Sequence, residues 1–409
     1  MALRIVANRP DPAVVTLPWP VPLEDWPDDV VVPLPRGLSR HVVRIIRLRD
    51  RTYAVKETQE AMAVREFRLL RDLQRLGLPA VVPQAVVAGR LDHEGDDLPA
   101  ALITQHLGFS LPYRSLFAHG VRADDLPSLV DAMVVLLVRL HLAGFYWGDV
   151  SLSNVLFRRD AGGFAAYLVD AETGELHPQV SDRMREYDLE VGCQNVFAEL
   201  LDLQASNPAY SELAAHEVID MLSERYHALW DELTGSEEFG ADELWRIEQR
   251  IERLNELGFD VEELDIVTDV GGDVVRLQPK AVELGHHCRE LQALTGLTVE
   301  DKQARRLLND LAAFTAHHDL GREDRHVVAA RWLTQVYEPI MAMIPPENRG
   351  KLEPAEIFHE ILVHRWYLSE AAGEEVSIFD TARDYIEHIL AAKPDEVIAP
   401  DDEEPTVVL

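Results

Sequence analysis

The alternation of apolar and polar positions divides the chain into a strand-rich beginning and a mostly helical remainder. Short β-rich runs separated by turn residues fill "VVVPLPRGLSRHVVRIIRLRDRTYAVKE", which predicts a meander of about three strands ending at Lys56. The next segment, "QEAMAVREFRLLRDLQRLG", has Phe67, Leu70 and Leu73 at helical spacing and Gly77 as a stop signal. Two further strands are predicted in "AVVPQAVVAGRL" and "LPAALITQHL".

Helical periodicity dominates the rest of the chain. The segment "DLPSLVDAMVVLLVRLHLAGF" predicts a largely buried helix that runs into Gly144. A strand, "FAAYLVD", follows and ends at Asp170, and a further helix is expected from about Asp188 to Gln204. Amphipathic helices then account for residues 207–392, with a possible hairpin at the Gly-Gly pair of "DIVTDVGGDVVRLQP".

Composition and charge narrow the class of protein. At 409 residues the chain is long for one core, so we expect two domains. The formal net charge of −33 argues against nucleic acid and anionic lipid as partners, since clustered Lys and Arg bind both. Two cysteines, Cys193 and Cys288, supply neither a disulfide framework nor a cysteine zinc site.

No segment has the pattern of an export signal or a membrane helix. The N-terminal stretch "MALRIVANRPDPAVVTLPWP" lacks the basic and apolar regions of a signal peptide. The most apolar long segment carries Asp131 and Arg139 inside it, which favours a buried helix over a membrane span. We therefore expect a cytoplasmic protein with no membrane span.

The candidate chemistry is phosphoryl transfer, which needs groups that hold phosphates and metal ions and orient an acceptor hydroxyl. Lys56 at a strand end can contact phosphates if Glu66, ten residues later, fixes its position. The segment "WGDVSLSNVLF" supplies Asp149 to orient the acceptor proton. Asn154 and Asp170 offer the oxygen ligands that Mg²⁺ prefers. Each residue alone is more typical of a turn or a surface pair than of this function, so only the ordered set indicates it.

In order and spacing, this set resembles the protein-kinase-like superfamily and its V-A-I-K, helix-C Glu, H-R-D-x-x-x-x-N and D-F-G motifs. The "GD" form of the loop and the "REFRLLRDL" helix are closer to the lipopolysaccharide-kinase and small-molecule-kinase branch. The whole chain resembles actinobacterial proteins that join such a domain to a C-terminal domain of unknown function, DUF4032. The resemblance implies an α+β fold class, with a two-lobed protein-kinase-like domain followed by an all-α C-terminal domain.

The domain boundaries follow from the resemblance and from the change in pattern. We expect an extended N-terminal arm at residues 1–29, a kinase-like domain at 30–205 with lobes at about 30–107 and 108–205, a DUF4032-like helical domain at 206–392, and a disordered acidic tail at 393–409.

The resemblance also implies ATP and Mg²⁺ as cofactors. It assigns Lys56 to the phosphates with Glu66 as its ion-pair partner, Asp149 as the base, and Asn154 with Asp170 as metal ligands. An adenine edge is implied near Gln105 to Leu107, on the connection between the lobes. The complete set of implied nucleotide-contacting residues is Gly37, Ser39, Arg40, His41, Lys56, Gln105 and Leu107.

The chain departs from the kinase pattern in three places. Trp147-Gly148 replaces His-Arg, "DAE" replaces D-F-G, and no Gly-rich loop precedes Lys56. Ser39, Arg40 and His41 can replace the missing loop with side-chain contacts. The indole of Trp147 is expected to pack as a brace under the strand that ends at Asp170.

The favoured function is transfer of the γ-phosphate to a hydroxyl of a small-molecule, sugar or lipid-linked acceptor. Two alternatives remain open at this stage. One is a non-catalytic nucleotide-binding regulator whose helical domain binds a protein partner, and the other is an atypical protein kinase.

Overall fold

The computed structural model describes residues 3–8, 11–32, 41–49, 51–118, 125–206, 214–240, 243, 245–256, 259–268 and 274–396. Three of the predicted nucleotide-contacting residues, Gly37, Ser39 and Arg40, lie outside this set. Within the described residues the chain forms two compact units. The first covers residues up to 158 and 165–225, and the second covers 159–164 and 226 onward.

An antiparallel five-stranded sheet forms the first part of the first unit, with strand order β1-β4-β5-β3-β2. Its strands are β1 (Arg4–Ala7), β2 (Val43–Leu48), β3 (Arg51–Thr58), β4 (Pro83–Ala88) and β5 (Ala100–Gln105). Helix α1 (Glu60–Arg75) packs on β4 and β5. It buries Phe67, Leu70 and Leu73, which confirms the face predicted from their spacing.

The N-terminal segment packs on this sheet. β1 pairs with β4 along the sheet edge. Trp19 and Trp26 are buried in the same core as Val55 of β3. These contacts correct the expectation of an extended arm over residues 1–29, because apolar side chains without a regular period can still fill a core. Of the three strands predicted before Lys56, two are β2 and β3, while Val31 forms an isolated bridge to β2.

The second part of the first unit is mainly helical. Its elements are β6 (Ser110–Pro112), α2 (Tyr113–Ala118), α3 (Leu126–Leu142), β7 (Phe145–Tyr146), β8 (Val155–Asp160), β9 (Gly163–Leu168), β10 (Glu175–Leu176) and α4 (Asp182–Ser206). Helix α3 is largely buried, as its apolar sequence predicted, and ends before Gly144. Gly144 has a φ of 84°, and a Cβ there would collide with the backbone oxygen of His177.

The second unit is predominantly helical, which confirms that part of the prediction. The helices of this part of the chain are α5 (Ala215–Thr234), α6 (Trp245–Glu256), α7 (His286–Thr295), α8 (Asp301–His317), α9 (Arg325–Trp332), α10 (Glu338–Ala342), α11 (Pro354–Ala372) and α12 (Ile378–His388). Aromatic residues of these helices, among them Trp332, Phe358 and Tyr385, meet in one core.

A three-stranded sheet corrects the description of this region as all-α. It consists of β11 (Glu237–Gly240), β12 (Phe259–Thr268) and β13 (Val274–Leu284), in the order β11-β13-β12. β12 and β13 form the hairpin that "DIVTDVGGDVVRLQP" predicted. The Gly-Gly pair itself falls at residues 271–272, outside the described residues.

The β8–β9 turn is an integral part of the second unit. Asp160 accepts hydrogen bonds from the backbone N–H of Lys302 at 3.3 Å and of Gln303 at 2.8 Å, at the beginning of α8. The Gln303 side chain donates to the backbone oxygen of Arg159 at 3.0 Å and to Glu356 at 2.9 Å. A carboxylate at a helix N-terminus satisfies N–H groups that have no partner within the helix. Residues 159–164 therefore complete the second unit from a distant part of the sequence.

Ionisation of the Asp160 carboxyl should make the stability of the second unit depend on pH. Burial, reinforced by the charge of Glu300, raises the pKa of Asp160 to about 8. In the unfolded chain the Asp160 carboxyl ionises near pH 4, whereas in the folded chain it stays protonated up to about pH 8. The contribution of this group to the free energy of unfolding is therefore complete below about pH 4 and is lost as the pH rises towards 8. Asp160→Asn keeps an acceptor oxygen but cannot ionise. We expect it to flatten the pH dependence of the melting temperature between pH 5 and pH 8, measured on the full chain.

The control for this prediction is Asp380→Asn, because the Asp380 side chain is 61% exposed. The control should keep the pH dependence of the unmodified protein. An Asp160→Asn variant with the same slope as the unmodified protein would contradict the assignment.

The acidic tail predicted for residues 393–409 lies outside the described residues from 397 onward. The four residues before that point are described, and Glu396 pairs with Arg159 at 2.7 Å. Among the helices of the described residues, none combines the length and apolar character needed to cross a bilayer.

Candidate active site

Lys56 is surrounded by carboxylates. In β3, Val55 points into the core that contains the N-terminal segment, and the two-residue alternation of a strand turns Lys56 to the opposite face. Its Nζ lies 2.9 Å from Oε2 of Glu66 on α1 and 2.8 Å from Oδ2 of Asp170. Glu172 is a third neighbour, with its Oε2 at 3.4 Å. Lys56 therefore joins the sheet, α1 and the segment that follows β9.

Burial and charge act in opposite directions on these groups. Burial lowers the pKa of Lys56, but the carboxylates of Glu66 and Asp170 outweigh it, so the net pKa is raised and the amine stays charged. Burial and the charge of Asp170 raise the pKa of Glu66 to about 7. Three carboxylates thus share one ammonium group, which leaves negative charge in excess.

Two amide side chains hold Asp149. The Nδ2 of Asn154 donates to the backbone oxygen of Asp149 at 3.0 Å and to its Oδ2 at 3.2 Å. The Nδ2 of Asn195, on α4, donates to Oδ1 of Asp149 at 3.4 Å and to the backbone oxygen of Val150 at 3.0 Å. Because each carboxylate oxygen has its own donor, the carboxylate is oriented in advance of any substrate.

A buried carboxylate on α4, Asp188, holds the backbone of the same loop. It accepts hydrogen bonds from the N–H of Trp147 at 2.8 Å and of Gly148 at 2.7 Å. Its Oδ2 also lies 3.0 Å from Nε2 of His141 on α3. Gly148 has a φ of 79°, a conformation that side chains with a Cβ rarely adopt. This conformation explains the glycine immediately before Asp149.

Replacing Asp188 is expected to destabilise the protein strongly. Asp188→Ala leaves two backbone N–H groups and His141 without their acceptor in a fully buried site. Each orphaned N–H group costs about 1–3 kcal/mol, so for the two together we expect a loss of about 2–6 kcal/mol in the free energy of unfolding, measured with urea. Asp182→Ala on the same helix is the control, because its side chain is 91% exposed. Equal stability of the two variants would contradict this role.

Trp147 is fully buried and braces the segment that carries Asp170. Its Nε1 donates to the backbone oxygen of Asp170 at 3.1 Å. In return, the hydroxyl of Thr173 donates to the backbone oxygen of Trp147 at 2.8 Å. The brace predicted for this indole is confirmed.

Helix α4 also supports the part of the loop that contains Asn154. Glu199 accepts hydrogen bonds from the backbone N–H groups of the two residues before Asn154, at 2.7 and 2.9 Å. Val150 packs so closely on α4 that a Cβ at Gly192 would lie 2.8 Å from its Cγ1. The loop is therefore held along its length by one helix.

These residues surround a cavity of about 460 Å³. Four of the predicted site residues line it, namely His41, Asp149, Asn154 and Asp170. His41 also forms an ion pair with Glu172, in which its Nε2 lies 3.0 Å from Oε2 of the carboxylate. Gln105, at the end of β5, and Leu107 are not among its lining residues.

The acidic groups have the chemistry of a site for a hard divalent cation. Carboxylate oxygens of Glu66, Asp170 and Glu172 all lie within 4.8 Å of one another. Oxygen donors with excess negative charge suit Mg²⁺. Glu66 is engaged by Lys56 and is 1% exposed, so Asp170 and Glu172 are the accessible carboxylates. Asn154 donates its amide hydrogens to Asp149, which leaves its amide oxygen available.

Sequence reasoning missed four residues of this site: Glu172, Asp188, Asn195 and Glu199. Asp188 alone left a signal in the sequence. It falls at the same helical spacing as buried residues such as Leu189 and Val196, where an acidic residue is costly unless it is paired. The others become recognisable only through contacts made by the folded chain.

An antiparallel sheet lobe, a helical lobe, a Lys–Glu pair and a loop with Asp and Asn give the first unit a protein-kinase-like fold. Residues 42–196 match the family model described as the lipopolysaccharide kinase (Kdo/WaaP) family. Residues 228–390 match the model of a domain of unknown function, DUF4032. The models of both families that the motifs indicated therefore match parts of the chain.

Comparison with solved structures gives a match to a chain described as "WaaP in complex with acyl carrier protein". It has 17% sequence identity, covers 56% of this chain and 99% of that chain, and has a TM-score of 0.31. None of the curated proteins compared with the chain matches it.

Proposed function

We propose that the first unit is an ATP- and Mg²⁺-dependent phosphotransferase whose acceptor is a hydroxyl of a sugar or lipid-linked molecule. The observation that carries this proposal is the grouping of Asp149, Asn154 and Asp170 around one cavity, with Asp170 paired to Lys56 at 2.8 Å. The match of residues 42–196 to the lipopolysaccharide kinase family supports the choice of acceptor class.

In this proposal each residue has one task. The ammonium of Lys56 binds phosphate oxygens, and Glu66 holds it in position from α1. Asp170, Asn154 and Glu172 would hold Mg²⁺. When bound, the ion neutralises charge on the phosphates. His41 lines the same cavity and takes the place of part of a Gly-rich loop.

Asp149 acts on the acceptor. The acceptor oxygen forms a bond to the γ-phosphorus while the bond between that phosphorus and the β–γ bridging oxygen breaks, and ADP leaves. The proton of the acceptor hydroxyl passes to a carboxylate oxygen of Asp149. Asn154 and Asn195 keep that carboxylate aimed at the cavity by their hydrogen bonds.

The test is incubation of the full chain with labelled ATP and a panel of sugars, sugar lipids and the protein alone, with and without Mg²⁺. Label on a sugar or sugar lipid, dependent on Mg²⁺, is the expected result. Label on the protein alone would replace this acceptor class with a protein acceptor. Tight Mg-ATP binding without any transfer would overturn catalysis in favour of a nucleotide-binding regulator.

A further inference from the structure

A second cavity, of about 320 Å³, lies within the second unit between α8 and α11. One face of each helix supplies its lining. Arg306, Asn309 and Asp310 come from α8, and Arg365 and Trp366 come from α11. Facing helices normally fill such a space with apolar side chains, so this mixture of donors, acceptors and an aromatic ring is typical of a ligand site.

Arg306 is the residue in this cavity whose hydrogen-bond donors remain available to a ligand. Its Nε is buried without a hydrogen-bond partner, and among the described residues its guanidinium forms no hydrogen bond or ion pair. Arg365 differs, because it donates to the backbone oxygen of Val376 at 2.8 Å and to the carboxylate of Glu375. The nearby Asp310 accepts from the indole N–H of Trp332 at 2.8 Å. A partly buried guanidinium whose Nε has no acceptor can bind an oxygen-rich, anionic group.

Trp366 supplies a flat apolar surface beside these polar groups. Its side chain is 58% exposed although it lines the cavity, so the ring is accessible from solvent. Ser369, one turn further along α11, also lines the cavity and accepts from the backbone N–H of Val376 at 3.1 Å, which leaves its hydroxyl hydrogen free to donate. An exposed ring bordered by hydroxyl and carboxylate groups suits a ligand with one apolar face and several hydroxyls.

We propose that this cavity binds a single sugar ring that carries a carboxylate or a phosphate. The apolar face of the ring lies on Trp366, the anionic group binds Arg306, and the hydroxyls pair with Asn309 and Asp310. This binding site is separate from the residues assigned to phosphoryl transfer and does not depend on them.

The charges around the cavity favour a sugar over a nucleotide. Arg306 and Arg365 are balanced by the carboxylates of Asp310 and Glu375, so the lining carries no formal net charge. A polyphosphate would lie against both carboxylates, whereas sugar hydroxyls donate hydrogen bonds to them. One guanidinium without a hydrogen-bond partner matches one anionic substituent.

The experiment is calorimetric titration of the full chain in Mg²⁺-free buffer with glucuronate, glucose 6-phosphate, glucose, inorganic phosphate and AMP. Both anionic sugars should bind about tenfold more tightly than glucose, since a charge-assisted hydrogen bond to arginine supplies the difference. Arg306→Gln should remove that preference, and Trp366→Ala should weaken binding of all the sugars. Arg306→Gln and Trp366→Ala should leave Mg-ATP binding, measured in a separate titration, unchanged, which separates this site from the cavity of the first unit.

Two variants serve as matched controls. Arg305→Gln makes the same change on the exposed residue next to Arg306, and Trp245→Ala removes another tryptophan that is 57% exposed. Both should bind like the unmodified protein. The proposal is overturned if inorganic phosphate binds as tightly as glucose 6-phosphate, if AMP displaces bound glucuronate more effectively than glucose 6-phosphate does, or if Arg306→Gln keeps the preference.

Discussion

Asp149→Asn is expected to lower the rate of phosphoryl transfer by about 10²–10⁴-fold, the usual contribution of a positioned general base. The amide has nearly the same shape as the carboxylate, but it cannot take up the acceptor proton. The donors Asn154 and Asn195 would each face an amide in place of a carboxylate, so the side chain is also held less firmly. The rate is measured under single-turnover conditions with the acceptor identified by the labelling experiment.

Asp202→Asn provides the control for this variant, because it makes the same chemical change on a side chain that is 74% exposed. Its rate should equal that of the unmodified protein. Mg-ATP should bind to Asp149→Asn nearly as tightly as to the unmodified protein, since Asp149 acts on the acceptor. Transfer by Asp149→Asn at an undiminished rate would exclude Asp149 as the base.

The sequence predicts the elements of the first unit best where the pattern is long or where neighbours on the chain are neighbours in space. Phe67, Leu70 and Leu73 define one face of α1 because helical spacing is a local property. Glu66 lies on the same helix, so its place opposite Lys56 follows once the strand before it is recognised.

The contacts that fix the loop are not predictable in this way. Asp188 and Glu199 lie about forty residues after the backbone groups that they bind. The sequence around an isolated carboxylate in a helix does not indicate which loop that carboxylate contacts. The N-terminal segment is a similar case, since Trp19 and Trp26 show no period and their burial depends on a sheet formed later in the chain. Asp160 binds the backbone of α8, which lies more than a hundred residues later in the chain.

Replacing Lys56 by Met is expected to have two separable effects. The first is loss of phosphoryl transfer, because the ammonium that binds the phosphates is absent. The second is loss of stability in metal-free buffer, because the carboxylates of Glu66, Asp170 and Glu172 then face one another without the ammonium group that they share. Breaking a buried ion pair by removing one partner costs about 3–5 kcal/mol, and we expect a loss of this size in the free energy of unfolding.

The response of the Lys56→Met variant to Mg²⁺ tests whether the carboxylates around Lys56 bind a divalent cation. If the carboxylates bind a divalent cation, then millimolar Mg²⁺ should restore part of the lost stability of Lys56→Met, because a ligand that binds only the folded state stabilises it. At alkaline pH, Glu66→Gln in the same background should also restore part of it by removing one of the repelling charges, since the pKa of Glu66 is about 7 even with Lys56 present. Lys393→Met is the control, since Lys393 pairs with the single carboxylate of Glu360 at 2.9 Å and its stability should not respond to Mg²⁺.

The combination of results distinguishes a metal site from a purely structural ion-pair network. Recovery by both Mg²⁺ and Glu66→Gln indicates that excess negative charge around Lys56 is available to a cation. Recovery by Glu66→Gln without any response to Mg²⁺ would mean that Asp170 and Glu172 repel each other but cannot share an ion. That outcome would remove the metal ligands from the proposed mechanism, even if Lys56→Met had abolished transfer, because Lys56 contacts the phosphates independently of the ion.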